Sequence, residues 1–181
     1  MLRSNHYDVA FEAWLRASRT AYVAVDERRR SLLAQRSLKS LDFLVYTRER
    51  GTWLVDVKGR RFAPGGQGRR WENWATHEDL SGMADWQELF GGESRGLLVF
   101  AYYLDEELLD VPADLGEPFE HRGRRYAFFG VWADDYRERM RVRSPRWETV
   151  WLPSGLFREL RFPLTRLLTP TVTASCGATS L

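Results

Sequence analysis

Cysteine and histidine are scarce in this chain of 181 residues, which has one Cys and three His. The single cysteine, Cys176, has no partner for an internal disulfide, and this favours a reducing compartment. Zinc sites need Cys and His at close spacing, and three scattered histidines do not provide such a site. The composition therefore argues against both a disulfide scaffold and a zinc centre.

Long apolar runs and two common catalytic motifs are also missing. No stretch approaches the length of a transmembrane helix, and residues 1–14 contain no long apolar run, so we expect a cytoplasmic protein that does not act at a membrane. The glycine-rich string PGGQG at 64–68 lacks the GK[ST] ending of a phosphate-binding loop. Ser154-Gly155 lacks the GxSxG context of a serine hydrolase, so neither chemistry is favoured.

Composition indicates one globular domain. The chain is 44% hydrophobic and 14% aromatic, which is enough apolar surface for a sizeable core at this length. Eight tryptophans are many for 181 residues, and we expect them in the core more than on a surface that stacks on bases. The domain is expected to span residues 1–167, and the small, polar segment 168–181 is expected to be flexible.

The charge is divided into blocks that the formal net charge of +2 conceals. Residues 28–39 and 58–70 each hold five basic residues and no acid, whereas 101–120 holds seven acids and no base. Residues 122–146 are again rich in arginine. Basic blocks of this kind suggest a polyanionic partner. A solvated surface of mixed charge is the alternative, and charge runs by themselves favour it.

Apolar periodicity and end signals predict the order helix, strand, strand, strand, helix, strand for the first part of the chain. Asn5 and Thr76 are placed to cap the two helices, with Asp8 and Asp79 at the third helical positions. The predicted segments are a helix at 6–19, a strand at 21–25, a hairpin at 41–58, a glycine-rich basic loop at 59–73, a helix between Thr76 and Gly91, and a buried strand at 96–104. The rest of the chain predicts a strand at 126–132, short helices at 134–140 and 153–160, and a strand at 148–152. Residues 28–39 are ambiguous, with a candidate short helix at 31–35.

The predicted hairpin carries the most informative residues. Side chains alternate across a strand, so Asp56 and Lys58 share one face. If Thr47 pairs with Trp53, Asp42 joins that face. Two carboxylates and one ammonium would then converge where a strand normally presents apolar side chains to a core. This pattern predicts either a metal site with a water-activating lysine or a buried ion cluster.

An exposed edge strand with ordinary salt bridges is the alternative for this hairpin. Leu44 and Leu54 lie on the same face as the charged residues, so that face is not simply polar. Val55 and Val57 make the opposite face apolar as well. The pattern therefore favours a strand that is buried on both sides.

Asp42, followed by the motif Asp56-x-Lys58 and preceded by a helix that contains Glu12, resembles the PD-(D/E)XK nuclease superfamily. The core of that superfamily has the order helix, three strands, helix and strand, which matches the order predicted above. Leu41 stands where the name of the superfamily has proline, the loosest position of the pattern.

The resemblance covers about residues 5–104. It implies an α/β fold with a restriction-endonuclease-like core, in which a central mixed sheet is flanked by helices. Residues 105–167 would form a C-terminal β/α extension of the same domain. The string from His6 to Glu12 also resembles an uncharacterised bacterial protein group named for the motif HYExAFE, with Asp8 in place of its first glutamate.

The resemblance also implies a metal-dependent active site. Asp42, Asp56 and the backbone carbonyl of Val57 would bind Mg²⁺ or Mn²⁺, and Glu12 would bind a second metal or a metal-bound water. Lys58 would hold or deprotonate the attacking water, or stabilise negative charge on the phosphoryl oxygens. Without a cation, Asp42 and Asp56 would repel each other, and the pKa of one of them would rise.

Basic and aromatic residues after the hairpin suggest contacts with nucleic acid. Four arginines of the predicted loop are expected to contact phosphates, namely Arg60, Arg61, Arg69 and Arg70. Trp71 and Trp74 would stack on bases, or would pack against the second helix. Gln87 is a weaker auxiliary candidate, for which a solvent-facing position on the helix is favoured. His6 would bind a phosphate, orient Glu12 or simply belong to the capping turn.

These inferences predict a nuclease that hydrolyses phosphodiester bonds in DNA, or less favourably in RNA. A catalytically silent nucleic-acid-binding module of the same fold is the alternative, although the intact Asp42, Asp56 and Lys58 argue against it. An enzyme that acts on a non-nucleic substrate is a third interpretation, and it would bind metal without affinity for DNA. A homodimer is compatible with the nuclease hypothesis, since cutting both strands of a duplex often uses two sites.

Overall fold

The computed structural model describes residues 5–25, 32–33, 36–37, 39–47, 51–62, 71–104 and 115–165. Its helices are α1 (His6–Ala17), α2 (His77–Phe90), α3 (Ala133–Arg139) and α4 (Ser154–Leu160). Its strands are β1 (Ala21–Ala24), β2 (Leu32–Leu33), β3 (Arg36–Ser37), β4 (Phe43–Thr47), β5 (Gly51–Phe62), β6 (Ala75–Thr76), β7 (Ser94–Leu104), β8 (Phe119–His121), β9 (Arg124–Trp132), β10 (Arg141–Ser144), β11 (Thr149–Trp151) and β12 (Phe162–Pro163). None of the helices in these ranges combines the length and the apolar character that crossing a membrane requires.

Within the described residues, seven strands form one mixed sheet. Its order is β1-β4-β5-β7-β9-β12, and β8 also pairs with β9. Strands β5 and β7 are parallel, with a register that runs from Thr52 opposite Ser94 to Phe62 opposite Leu104. The other pairs of neighbouring strands in this sheet are antiparallel. The long parallel pair therefore lies at the centre of the sheet.

Helices cover both faces of the sheet because its central strands are apolar on both sides. Helix α1 packs Phe11 and Leu15 into a core with odd-numbered residues of β5 such as Val55. Helices α2, α3 and α4 share a second core on the opposite face, where Met83 packs with the even-numbered Leu54. Full burial of one such side chain stabilises a fold by about 1.5–3 kcal/mol. The two cores together hold the sheet between the helices.

The predicted order of the first part of the chain is confirmed by α1, β1, β4, β5, α2 and β7. The Asn5 side chain accepts a hydrogen bond from the Tyr7 N–H at 3.1 Å, and α1 begins where the sequence predicts. Thr76 and Asp79 form a reciprocal capping box at the start of α2. Gly91 follows the end of α2 with a φ of +81°, a conformation that favours glycine.

Two predictions about the hairpin are wrong. Thr47 pairs with Gly51 and not with Trp53, so the register differs by two residues. Because the difference is an even number, the residues that share a face are unchanged. Strand β5 also continues through Gly59 to Phe62, where the sequence predicts a loop, because these residues pair with β7.

The second half of the chain completes the large sheet and adds a small one. Strand β9 pairs along β7, from Leu97 opposite Trp132 to Leu104 opposite Arg125. The predicted elements near 126–132, 134–140, 148–152 and 153–160 are confirmed as β9, α3, β11 and α4. Strands β10, β11 and β6 form a three-stranded sheet that the sequence does not predict.

In the ambiguous segment before the hairpin, the described residues 32–33 and 36–37 are strands, so the candidate helix at 31–35 is wrong where the structure describes it. Residues Leu32–Leu33 pair with Arg36–Ser37 as β2 and β3. The predicted flexible segment 168–181 lies outside the described residues.

Candidate active site

Strand β5 places three charged side chains between apolar ones on the face that α2 covers. The even-numbered residues of this face are Leu54, Asp56, Lys58, Arg60 and Phe62, and all but Lys58 are 9% exposed or less. A buried charge that lacks a partner destabilises the fold by several kcal/mol, because the charge loses its hydration. The partners of these side chains therefore define the site.

Lys58 lies between two carboxylates. Its Nζ is 2.6 Å from Oδ2 of Asp56 and 2.9 Å from Oδ2 of Asp79. Lys39, from the segment before β4, pairs with the other oxygen of Asp79. These contacts make an ion-pair chain of alternating charge, Asp56–Lys58–Asp79–Lys39, which joins β5 to the start of α2.

Asp79 is the site residue that sequence reasoning missed. The sequence assigns it only to helix capping, and it does fill that role, because the Thr76 N–H donates to its Oδ2 at 2.7 Å and its own N–H donates to Thr76 Oγ1 at 3.1 Å. The same Oδ2 pairs with Lys58, so the capping box also positions the ammonium. The sequence did contain a signal for this role, because Asp79 is an acidic residue in the first turn of the helix that packs over the strand carrying Asp56 and Lys58.

Burial and pairing shift the pKa values of the ion-pair chain in different directions. Burial by itself raises the pKa of Asp79, but Lys58, Lys39 and the Thr76 N–H outweigh it and lower the value to about 2. Burial raises the pKa of Asp56 despite the attraction of Lys58, and the charge of Asp79 adds to the increase. Burial by itself lowers the pKa of Lys58, but the two carboxylates more than offset this and raise it. Lys58 is therefore an ammonium ion at neutral pH.

Asp42 lies immediately before β4 and is 7% exposed. Its backbone N–H donates to the Val55 carbonyl at 2.9 Å, and its Oδ2 accepts from the Val57 N–H at 2.6 Å. Val55 and Val57 flank Asp56 on β5. The structure therefore places Asp42 beside Asp56 at the end of the β4–β5 ladder.

The donor set suits a hard divalent cation. The carboxylates of Asp42 and Asp56 and the carbonyl of Val57 are oxygen donors, and Mg²⁺ is usually held by one or two carboxylates while it keeps several waters. The described part of the chain has no group of three or more His, Cys, Asp or Glu residues arranged to hold a metal ion. The oxygen donors of Asp42, Asp56 and Val57 fit Mg²⁺ better than a soft cation that prefers sulfur ligands.

Glu12 lies on the other face of the sheet. Its Oε1 accepts hydrogen bonds from Arg16 at 2.7 Å and from the Tyr22 hydroxyl at 2.9 Å. Tyr22 pairs across β1 and β4 with Val45, whose side chain belongs to the core under α1. The structure does not bring Glu12 into a cluster with the carboxylates of the α2 face. A second-metal role for Glu12 remains a prediction.

The side chains of Arg60 and Trp71 both contact aromatic residues within the fold. The Arg60 guanidinium donates to the Trp74 carbonyl and lies 4.0 Å from the centre of the Trp74 ring, and burial lowers its pKa. The Trp71 ring packs against Phe62 and has the Arg161 guanidinium 3.5 Å from its centre. Arg60 is 8% exposed and Trp71 is half-buried, and Trp71 packs against the sheet and Arg161 and not against the second helix. Contacts of Arg60 and Trp71 with nucleic acid stay a prediction.

The other arginines of the predicted loop differ from Arg60. Arg61 follows it on β5, points to the opposite face and is exposed. Arg69 and Arg70 lie outside the described residues. Of the two arginines in this set that the structure describes, Arg61 is the one whose exposure suits a phosphate contact.

The two auxiliary candidates lie apart from Lys58. Gln87 Nε2 donates to Asp134 Oδ2 at 3.2 Å, and Gln87 is about 12 Å along α2 from Asp79 at the usual helical rise. The His6 Nδ1 is 3.0 Å from the Tyr126 hydroxyl, within the core under α1. Burial, with a smaller effect of Arg124, lowers the pKa of His6.

Comparison with known proteins identifies the fold and no sequence family. No protein-family model matches the chain, and no curated protein matches it. A solved structure similar to it is that of Hjc, a Holliday junction resolvase from the archaeal hyperthermophile Archaeoglobus fulgidus, with a TM-score of 0.53 and 10% sequence identity. The match covers 91% of this chain and 98% of Hjc. It confirms the restriction-endonuclease-like α/β fold, whereas kinship with the HYExAFE group remains a prediction.

Proposed function

We propose that this chain is a metal-dependent nuclease that hydrolyses phosphodiester bonds, with DNA preferred over RNA. The observation that carries the proposal is the partly buried Lys58 ammonium, 2.6 Å from the buried Asp56 and near the buried Asp42 on the central sheet. Three charged groups in a core lower the stability of the fold. Residues that lower stability in this way are usually retained because they serve a functional site. The similarity in fold to a Holliday junction resolvase supports a nuclease that acts on DNA.

Asp42, Asp56 and the Val57 carbonyl would hold Mg²⁺ or Mn²⁺. When bound, the cation supplies charge neutralisation at the phosphoryl oxygens and lowers the pKa of a water. The Asp42 Oδ2 accepts a hydrogen bond from the Val57 N–H at 2.6 Å, and this bond would fix the Asp42 carboxylate against strand β5 next to Asp56.

Lys58 would act next to the cation, because its Nζ lies 2.6 Å from Oδ2 of Asp56. It would hold or deprotonate the attacking water, or it would stabilise negative charge on the phosphoryl oxygens.

Asp79 would act as a positioning residue for this lysine. It touches neither of the proposed metal ligands in the contacts described above, but its Oδ2 lies 2.9 Å from Lys58 Nζ. Because the capping box fixes Asp79, the ammonium is held on the α2 side of Asp56. A homodimer, with one site for each strand of a duplex, is part of the proposal and is tested by the mass of the particle in solution.

The silent binding module is the second candidate. It is favoured by the direct pairing of Lys58 with Asp56 and by the absence of a third acidic ligand among the described residues. It predicts affinity for DNA without cleavage under any metal condition.

Cleavage of labelled nucleic acids tests the proposal. Single-stranded, duplex and branched DNA and single-stranded RNA are incubated with the protein in Mg²⁺, in Mn²⁺ and in EDTA. We expect cleavage of DNA in either metal and none in EDTA. Binding without cleavage would support the silent module, and metal binding without affinity for nucleic acid would support a non-nucleic substrate.

The neighbouring arginines of β5 give a paired prediction. Arg60→Met is expected to destabilise the fold by about 1–3 kcal/mol, because the Trp74 carbonyl loses a buried donor. Arg61→Met is expected to cost less stability than Arg60→Met, because Arg61 is exposed, and to weaken DNA binding with a smaller dependence on salt. Urea unfolding and fluorescence anisotropy across a salt series measure the two effects. A stable Arg60→Met protein with weakened DNA binding, together with an unstable Arg61→Met protein, would contradict the burial of Arg60.

A further inference from the structure

The small sheet of β10, β11 and β6 is attached directly to the candidate site. Strand β6 ends at Thr76, whose side chain caps α2 and contacts Asp79. Thr76 pairs with Thr149 of β11, and the His77 N–H donates to the Glu148 carbonyl at 3.0 Å. The small sheet is therefore held in a defined position relative to Asp79 and the lysine it orients.

A second set of contacts fixes the small sheet to the core. The buried Tyr136 hydroxyl donates to the Asn73 carbonyl at 2.7 Å. The Asn73 side chain accepts from the Leu152 N–H at 2.9 Å and donates to the Leu152 carbonyl at 3.0 Å. The segment before β6 and the segment after β11 are thus joined by buried hydrogen bonds, which hold the small sheet against the core.

Strands β6 and β11 bury part of the small sheet, whereas β10 is largely exposed and carries charge. Val150 and Ala75 pair with each other and belong to the large core. Trp151 is next to Val150 and points the other way, opposite Arg141 on β10. The register shifts between Val142 and Ser144, so Arg143 lies at an irregular position of β10, where its guanidinium is 5.4 Å from the centre of the Trp74 ring. Arg141 and Arg143 are exposed, and Trp151 is 37% exposed.

The turn between β10 and β11 extends this exposed part of the small sheet. Trp147 in the turn is 68% exposed, more than any other large hydrophobic residue in the described part of the chain. The Arg146 guanidinium lies 5.2 Å from the centre of its ring. We call Arg141, Arg143, Arg146, Trp147 and Trp151 the arginine–tryptophan face.

The chemistry of the arginine–tryptophan face indicates its partner. Residues 139–151 contain four arginines and one acid, which is a strongly positive balance for so short a segment. Arginines bind phosphates, and exposed indole rings stack on bases. The bases of a duplex are already stacked on one another, so their flat faces are available only where nucleotides are unpaired.

We propose that the arginine–tryptophan face binds unpaired nucleotides of a DNA substrate next to the cleavage site. This inference rests on the proposed nuclease function and specifies the substrate class. Strand β10 lies about 10 Å from β6 at the usual spacing between strands. Arg143 lies 5.4 Å from the Trp74 ring, on which Arg60 of β5 also stacks at 4.0 Å, so the face continues to the strand that carries Asp56.

Binding without turnover tests the inference. A fluorescein-labelled single-stranded DNA and a blunt duplex of the same sequence are titrated in EDTA with the full chain. We expect tighter binding of the single strand, and about tenfold weaker binding by Trp147→Ala, which removes one stacking surface. The double variant Arg141→Gln/Arg143→Gln is expected to reduce the slope of log K against log salt by about 1.4 for single-stranded DNA.

Matched controls lie on other surfaces of the molecule. Tyr46→Ala removes an aromatic residue that is 45% exposed on β4, and Arg158→Gln removes an exposed arginine on α4. Both controls are expected to bind single-stranded DNA as the parent does. Circular dichroism and the urea midpoint establish that every variant is folded, which these exposed positions should allow.

The outcomes separate this inference from the nuclease proposal. If Trp147→Ala and the double variant bind like their controls, the inference is overturned, even where Mg²⁺-dependent cleavage shows that the nuclease proposal stands. Equal or tighter binding of the duplex by the parent would overturn the preference for unpaired nucleotides. If the variants lose binding but the parent cleaves nothing in any metal, the binding surface is supported and the nuclease proposal fails.

Discussion

Asp56→Asn protein is expected to retain its fold and to lose at least about a thousandfold of its phosphodiester cleavage, since metal stabilisation of transition-state charge is worth several kcal/mol. Asparagine has nearly the shape of aspartate but lacks the charge that would hold Mg²⁺ beside Asp42. The side chain is buried against Lys58, so solvent cannot replace the missing ligand. Single-turnover cleavage of a labelled DNA measures the effect.

The stability of Asp56→Asn is expected to differ from that of an ordinary core variant. The pKa of Asp56 is raised in the fold, mainly by burial, so its ionised form is less favourable in the native state than in the unfolded chain. The stability associated with this group is therefore present below its ordinary pKa of 3.8 and is lost as the pH rises through the higher native value. This effect should offset part of the loss of the Asp56–Lys58 pair, so Asp56→Asn should lose less metal-free stability at neutral pH than Asp79→Ala, as read from urea midpoints.

Metal binding gives a readout of Asp56→Asn that does not depend on activity. Mg²⁺ at a hundredfold excess over its Kd should stabilise the parent by about 2.7 kcal/mol and should not stabilise the variant. Asp135→Asn is the matched control, because Asp135 is a partly exposed aspartate on α3 that pairs with Arg95 away from Lys58. Equal stabilisation of parent and Asp56→Asn by Mg²⁺ would exclude Asp56 as a ligand.

Asp79→Ala is expected to give the largest loss of stability, about 3 kcal/mol. It removes one carboxylate from the partly buried Lys58, the carboxylate nearest to Lys39 and the side-chain acceptor of the Thr76 N–H. Breaking a buried ion pair from one side costs about 3–5 kcal/mol, and loss of a helix cap costs about 1 kcal/mol. Because Lys58 keeps Asp56, we expect the lower end of this range in urea unfolding.

Asp79→Asn distinguishes the charge of Asp79 from its capping role. Asparagine can still accept from Thr76, so it should lose less stability than alanine while it still loosens the ammonium of Lys58. The pKa of Asp79 is about 2 in the fold, below the ordinary 3.8. Its stabilising contribution, about 2 kcal/mol, is therefore complete above pH 3.8 and is lost as the pH falls toward 2.

The pH dependence of unfolding checks this assignment. The parent should lose stability between about pH 4 and pH 2 more steeply than Asp79→Asn, which has no proton to bind at this position. Asp85→Asn is the comparison on the same helix, at a position where the aspartate does not take part in the ion-pair chain. Parallel pH profiles for the parent and Asp79→Asn would contradict the pairing of Asp79 with Lys58.

Local signals determined most of the elements. Asn5 and Thr76 cap the helices as predicted, because a side-chain oxygen before an apolar helical repeat satisfies the first free N–H groups whatever the rest of the chain does. The apolar run within β7 forms a buried central strand, since such a segment is most stable when covered on both faces. Period-two alternation in β5 was enough to place Asp56 and Lys58 on one face.

Only the tertiary structure decided which charges meet. Asp79 joins Lys58 because α2 packs over β5, a contact between segments that local periodicity does not register. Arg60 looked like a surface arginine in a basic loop, but pairing of β5 with β7 extended the strand and drew its side chain under Trp74. The small sheet beside the site likewise depends on pairing between β6 and β11, which are more than seventy residues apart.

The physical reason is the range of the forces involved. Capping, turn formation and side-chain alternation are settled within a few residues, so the sequence alone determined the helices, the main strands and the shared face of Asp56 and Lys58. Ion pairing and desolvation depend on the distances between folded segments. The partners of Lys58, the burial of Arg60 and the exposure of Trp147 were therefore decided only when the helices closed over the sheet.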